Sequence, residues 1–363
     1  MEKNEILILA INPGSTSTKF AVFANEQCVL QKTIRHTVEE LAVYEKITDQ
    51  FEFRKALIFD ELRRENVELG KIKYVIGRGG LTYPLESGIY EVNDLMLEHL
   101  RNSVMGEHAS NLGPILAHDI AQHLGNVKAF IADPVVTDEM EDVARYAGHP
   151  LFERKSIFHA LNQKAIAREH ARTVNKNYEE MNLILVHLGG GISVGAHRQG
   201  KIIDVNNALN GEGPFTPERS GTLPAGQLVD LCFSGKYTQT EIKRMITGEG
   251  GFVAYLGTND AYTVEKKVAA GDEEFAKVQE AMSYQIAKGI GEMAVVLDGK
   301  VDGILITGGM AYDKAMMAQI RTKVEFIAPV FIYPGEDELK ALAMNVYWLD
   351  RGVIQSRVYD KQG

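Results

Sequence analysis

"ILAINPGSTSTKFAVF", residues 8–23, begins as an apolar run, stops at Asn12-Pro13-Gly14, and continues through Ser15, Thr16, Ser17, Thr18 and Lys19 before turning apolar again at Phe20. The pattern predicts a strand, a glycine turn and a second strand. In a strand alternate side chains share a face, so Ser15, Ser17 and Lys19 point one way, and Thr16, Thr18 and Phe20 the other. Two hydroxyls and an ammonium beside free backbone N–H groups make a phosphate site. On this stretch alone, a solvated edge strand fits equally well.

A second stretch repeats the first. "LILVHLGGGISVGAH", residues 183–197, is again an apolar run, a glycine turn, a serine-bearing segment and a return to apolar residues. Superposing Ile11 on Leu188 aligns Asn12-Pro13-Gly14 with Gly189-Gly190-Gly191, about half the chain further on. That spacing predicts a duplicated domain. Two such turns can hold a polyphosphate from both sides. A third glycine pair, Gly308-Gly309 in "ILITGGMAYDK", ends an apolar run and precedes a helix signal, which suits close approach of a nucleoside or phosphate to the backbone. The Walker A pattern is absent, and "GGGISVG" places its last glycine one position too late for a dinucleotide fingerprint.

Between these landmarks strand and helix signals alternate. Residues 72–76, 127–131 and 301–307 are apolar runs of strand length. Helices are expected over 156–173 with Ser156 as N-cap, over 273–297, and over 339–351 with the only tryptophan, Trp348. Alternation of this kind predicts an α/β fold with covered sheets.

The bulk properties fit. At 363 residues the chain is long for one domain and comfortable for two. It is 45% apolar and 24% charged, as soluble globular proteins are, with a net charge of −10. Such acidity argues against nucleic acid or an anionic membrane as partner. Two cysteines, Cys28 and Cys232, in unrelated contexts predict no disulfide framework and fit a reducing, cytoplasmic setting.

Strand, hairpin loop, duplicated domain and a late strand-Gly-Gly-helix resemble the superfamily of acetate and sugar kinases, actins and heat-shock chaperone ATPases. Within it, "INPGSTSTK", "FHALNQKAIAR", "VHLGGGISVGAH", "GEGPFTPERSGTLP", "ITGGMAYDK" and "PGEDEL" occur in this order and resemble the butyrate kinase branch of the carboxylate kinases, over essentially the whole chain. Acetate kinases are more distant: where they read FHGTSH, RSGDLDP and GGIGEN, this chain reads FHALNQ, RSGTLP and GMAY. The resemblance implies a duplicated two-domain, actin-like ATPase fold with the active site in the interdomain cleft. Residues 1–150, joined by a C-terminal helix in 338–363, should form the carboxylate side, and 151–337 the nucleotide side. It also implies ATP and ADP as substrates, Mg²⁺, a short-chain carboxylate and its acyl phosphate, and a homo-oligomer.

Residue roles follow by resemblance. Arg78, between Gly77 and Gly79, should bind the carboxylate, and Arg219 should stabilise the phosphoryl group in transit. His159 should donate to an equatorial phosphoryl oxygen, His187 should be a second phosphate donor, and His108 matches a more weakly placed histidine. Asp133 should hold Mg²⁺ through water, and Asn12 stands where the family has a metal-site asparagine. Matching a Glu-Glu-Leu pattern onto "PGEDEL" picks Asp337 as the second metal carboxylate, with the choice among Glu336, Asp337 and Glu338 left open. Asp260 should lie near the ribose, and Gly308 and Gly309 near the adenine or α-phosphate. Gly80, where acetate kinases carry a branched residue, should open room for a longer acid, with Phe158 and Phe215 lining it.

No general base is needed for such a reaction, because an aliphatic acid titrates near a glutamate's pKa of about 4.3 and is ionised at neutral pH. The site must instead bring two anions together in line and spread the charge of a loose transition state. Rivals to this reading are a kinase for acetate, propionate or a branched acid, and a non-kinase ATPase like actin or the chaperones.

Overall fold

A computed structural model describes residues 5–125 and 127–361. The chain divides into two compact units: residues up to Thr137 together with those from Asp337 onward, and Asp138–Glu336. The first boundary lies upstream of the expected 150. The reason is local: Glu141 N–H donates to the Ile203 carbonyl, and buried Lys164 donates to Glu139 (2.7 Å), so the segment after Thr137 is tied into the second unit.

In the first unit the apolar run becomes β1 (Leu7–Pro13), followed by β2 (Ser17–Ala24), β3 (Gln27–Arg35), β4 (Ile72–Arg78), β5 (Ile89–Glu91) and β6 (Lys128–Ala132). With the short C-terminal strand Ser356–Arg357 they form a seven-stranded sheet in the order C-terminal strand-β5-β6-β4-β1-β2-β3. Leu9, Ile11, Phe20 and Val22 are fully buried in one core with Ile58 and Leu62 of helix Phe51–Arg64 and Leu112, Leu116 and Ile120 of helix Leu112–His123. Helix Glu338–Asp350 also packs along β1.

The second unit carries β7 (Asn182–Leu188), β8 (Ile192–Arg198), β9 (Lys201–Val205), β10 (Gly303–Gly308) and β11 (Val330–Pro334), in the order β11-β10-β7-β8-β9. The duplication read from the glycine turns is present in five strands of each unit. In both units a strand pairs antiparallel with the next (β1–β2, β7–β8), which pairs antiparallel with a third (β2–β3, β8–β9). On its other side it pairs parallel with a crossover strand (β4, β10), itself parallel to another (β6, β11). Helix Glu273–Val296, capped by Asp272, covers this sheet through Met282, Ile286 and Ile290.

Two local expectations change. The helix expected from Ser156 begins at Ala160, with His159 at the N-cap position and Ser156 buried before it. Strand β2 begins at Ser17, so Ser15 and Thr16 belong to the bend rather than to an alternating strand. From Ser17 the alternation holds, with Thr18 and Phe20 buried and Lys19 exposed. Among the described residues no helix is long and apolar enough to cross a membrane.

Candidate active site

In the first unit, strand ends place the polar groups. Asn12 is buried near the end of β1, and Arg78 ends the parallel neighbour β4, where Ile11 faces Gly77. Arg78 Nη1 donates to Glu338 Oε2 (3.2 Å) and approaches Asn12 Oδ1 (3.5 Å). Asn12 Nδ2 donates to the same Glu338 oxygen. The carboxylate that reaches this pair is therefore Glu338, not Asp337. Asp337 is the N-cap of helix Glu338–Asp350, and its exposed carboxylate accepts the Lys340 N–H (2.9 Å). Aspartate is a favoured N-cap.

Asp133 follows β6, is 1% exposed, and has φ of 40°. A non-glycine residue held there costs of order 1–3 kcal/mol. Its surroundings hold it: Oδ1 accepts from Ser87 Oγ (2.7 Å) and Gly88 N–H (2.8 Å), while its own N–H donates to the Gly88 carbonyl (3.1 Å). Lys19 lies across the hairpin from Asn12 and is exposed, with no acidic partner among the described residues.

The acid-pocket residues do not fall where expected. A Cβ on Gly80 would lie 2.7 Å from both Asn111 Cα and Leu100 Cδ2, so the space beside it is filled by protein. Phe158 is buried with Met140, Ile202 and Val205, and Phe215 lies in the second unit's main core against Phe252. His108 is exposed and caps the turn Ala109–Asn111, where its Nδ1 accepts the Ser110 N–H (3.2 Å). Gly80→Val is accordingly expected to lower stability by about 1–3 kcal/mol, the usual cost of overpacking, without raising preference for a shorter acid. Thermal melting and kcat/KM for acetate and butyrate on this variant check it.

The second unit gathers two histidines and an arginine around the β7–β8 turn. His159 and His187 stack with ring centroids 3.8 Å apart and planes 15° from parallel. His187 is buried, and Asn162 Oδ1 lies 2.7 Å from its Nδ1, so that nitrogen carries a proton. Its Nε2 lies 3.3 Å from Glu336. His159 Nδ1 meets Ser193 Oγ (3.0 Å), which also accepts from Gln163 Nε2 (2.8 Å). Arg219 closes the group. Its Nη1 donates to the Ala208 carbonyl (2.6 Å), and its N–H donates to Thr216 Oγ1, which in turn donates to the Gly190 carbonyl (2.7 Å). Burial pushes the Arg219 pKa below its ordinary value, against the opposing pull of Glu218. Gly189 N–H bonds the Gly191 carbonyl and closes the turn.

A cavity of about 430 Å³ lies beside the third glycine pair, lined by Gly309, Met310, Tyr312, Phe252 and Tyr262. Gly308 pairs reciprocally with Gly335. Asp260 caps helix Ala261–Ala269, and the Thr263 hydroxyl, with the N–H groups of Tyr262 and Thr263, holds its carboxyl below the usual carboxylate range. Asp260 itself is not among the residues lining the cavity, whereas its neighbours Ala261 and Tyr262 are.

The acetokinase family model matches residues 144–328, just over half of the chain. Butyrate kinase 2 of Clostridium acetobutylicum is 56% identical over 352 residues, covering 97% of this chain and 99% of that protein. The fold is similar to that of Porphyromonas gingivalis acetate kinase, with a TM-score of 0.74 at 18% identity over 93% of this chain and 98% of the other. It is also similar to that of a propionate kinase from Francisella tularensis, with a TM-score of 0.70 at 19% identity over 94% and 98%. With the duplicated sheets, these matches give an actin-like ATPase fold, and the chain belongs to the acetokinase family of carboxylate kinases.

Proposed function

We propose that the protein catalyses ATP + butyrate ⇌ ADP + butyryl phosphate. The observation that carries this reading is the 56% identity to a butyrate kinase across nearly the full length of both chains. The arrangement of donors supports it. The attacking carboxylate is already an anion, so the residues needed are those that hold two anions and spread charge. In the first unit Arg78 takes the acid's carboxylate, and the turn of Ser15 and Ser17, with Lys19, takes the nucleotide's phosphates. In the second unit Arg219, His159 and His187 donate to the phosphoryl group in transit. The Gly189–Gly191 turn binds phosphate, and the cavity beside Gly309 takes the adenine. The need to bind a carboxylate at Arg78 separates this reading from a shape-changing ATPase, which has no second substrate.

Bound Mg²⁺ supplies charge neutralisation on the phosphoryl oxygens. Among the described residues no cluster of three acidic, histidine or cysteine side chains offers a full cage. Mg²⁺ keeps several waters and takes one or two carboxylates. Glu338, already oriented by Asn12 and Arg78, is the acid we assign to it in place of Asp337, together with Asn12 and Asp133.

Acid length supplies the test. Each buried methylene contributes about 0.8 kcal/mol, so the two extra in butyrate give about 1.6 kcal/mol, a preference over acetate of about 15-fold in kcat/KM. Trapping the acyl phosphate as hydroxamate with acetate, propionate, butyrate and isobutyrate reads both chemistry and preference. A protein that prefers acetate loses the butyrate assignment and keeps the carboxylate kinase chemistry.

A further inference from the structure

Arg54, in helix Phe51–Arg64, is fully buried, and nothing in the reaction described above uses it. Three of its five N–H donors are spent on the first glycine turn, and the other two on Gln50. Nη1 donates to the Gly14 carbonyl (2.8 Å), the Ser17 carbonyl (3.0 Å) and Thr18 Oγ1 (3.1 Å). Nη2 donates to the Ser15 carbonyl (3.2 Å) and, with Nε, to Gln50 Oε1. Every one of these acceptors is neutral, and no carboxylate forms an ion pair with Arg54 among the described residues.

A buried cation without a counter-ion is costly, and proteins normally pair it. The titratable group that shares Thr18 Oγ1 with it makes no compensation. His36 bonds Thr18 Oγ1 through Nε2 (2.8 Å), and burial, reinforced by Arg54, pushes its pKa down toward the neutral form. Burial also lowers the Arg54 pKa to about 10, which leaves the guanidinium charged at neutral pH.

The direction of the peptide groups says what the charge faces. The Gly14, Ser15 and Ser17 carbonyls point at Arg54, and the Thr16 carbonyl accepts the His36 N–H (2.9 Å). All four carbonyls of the turn are thus satisfied from within the protein. In a trans peptide the N–H points opposite to the carbonyl of the same unit. The N–H groups of Ser15 and Thr16 therefore face away from Arg54, and neither has a protein acceptor among the described residues. Acceptors turned inward, donors turned outward and an unpaired cation behind them are what an anion site requires.

We propose that Arg54 is a positioning residue for the nucleotide's phosphates: it holds the Gly14, Ser15 and Ser17 carbonyls inward so that the Ser15 and Thr16 N–H groups meet the polyphosphate, and it places an uncompensated positive charge behind them. This rests on the assignment of that turn to phosphate. The bound polyphosphate is the counter-ion that the fold itself omits.

Steady-state kinetics of Arg54→Lys and Arg54→Met test it, with melting temperatures confirming that each variant is folded. KM for ATP should rise about 10- to 100-fold in Arg54→Met, the size of one charge-assisted hydrogen bond, and by less in Arg54→Lys, which restores the charge without the fork. KM for butyrate should stay within about twofold. A merely structural arginine would lower the active fraction and leave both KM values alone. Ser17→Ala and Lys19→Ala separate the two layers. If they leave ATP binding unchanged, the phosphate assignment of the turn fails, and the role of Arg54 with it. If they weaken ATP binding while folded Arg54 variants do not, the role of Arg54 alone is overturned. A readout needing no variant is hydrogen exchange of peptides spanning residues 14–18 in the wild-type protein. ADP with Mg²⁺ should slow it, and no protection would overturn the proposal.

Discussion

Arg219→Ala should lower kcat by about 10²–10³-fold while changing KM for ATP by no more than a few-fold. Removal of one donor to developing charge in a water-poor site has that size. Arg219 has the features of such a donor. Nη1 is fixed on the Ala208 carbonyl, while Nε and Nη2 have no hydrogen-bond acceptor among the described residues, and Glu218 approaches Nη2 only to 4.0 Å. The guanidinium is held and unsaturated. Burial lowers its pKa and strengthens its field, because charge is screened less in a low dielectric. A contact made chiefly as the phosphoryl group moves affects kcat rather than ground-state binding. Arg219→Lys should recover only part of the loss, since one ammonium cannot both hold Ala208 and reach the phosphoryl oxygens. Initial rates by hydroxamate trapping, alongside a melting curve for each variant, decide it. A folded Arg219→Ala enzyme with near wild-type turnover would remove Arg219 from the chemistry.

The duplicated fold was legible because it is written in local signals that tertiary context does not override. Apolar runs of strand length stopped by Gly14 and by Gly189-Gly190-Gly191 are read without knowing their neighbours, and they appear as β1 and β7 with matched pairings. Residues at strand ends were legible for the same reason: Asn12, Arg78 and His187 sit where a run stops. What depended on side-chain direction was not. Gly80 follows a strand as expected, but its Cβ direction points into Asn111 and Leu100, a fact of how helix Leu112–His123 and its entry pack. Phe158 neighbours His159 in sequence, yet the chain turns between them, so one enters the core and the other the polar cluster. Asp337 and Glu338 differ by one position. The helix start assigns the first to capping and the second to Arg78, and only the helix boundary tells them apart. Arg54 gave no signal at all. An arginine in a charged helix reads as solvated, and its burial is a consequence of the hairpin that folds over it.

Gly191→Ala should abolish most turnover with little loss of stability, because of where the added methyl would go. A Cβ there would lie 2.3 Å from Arg219 Nη1, 3.1 Å from the Ala208 carbonyl oxygen and 3.2 Å from His159 Cε1. The first distance is impossible, and the atom in the way is the far end of a flexible side chain. Relief therefore comes from swinging the guanidinium off Ala208 and not from moving the sheet. The direct cost is about one hydrogen bond, roughly 0.5–1.5 kcal/mol. The catalytic cost is larger, because a displaced Arg219 is nearly as ineffective as an absent one, and a loss in kcat of about 10²-fold is expected. A double-mutant cycle turns this into a sharp test. If the alanine acts through Arg219, Gly191→Ala on the Arg219→Ala background should cost less than about threefold further, giving a coupling near the full single-variant effect. Independent, multiplying losses would mean that Gly191 serves the phosphates directly through its own backbone, and the steric account of this turn would be wrong.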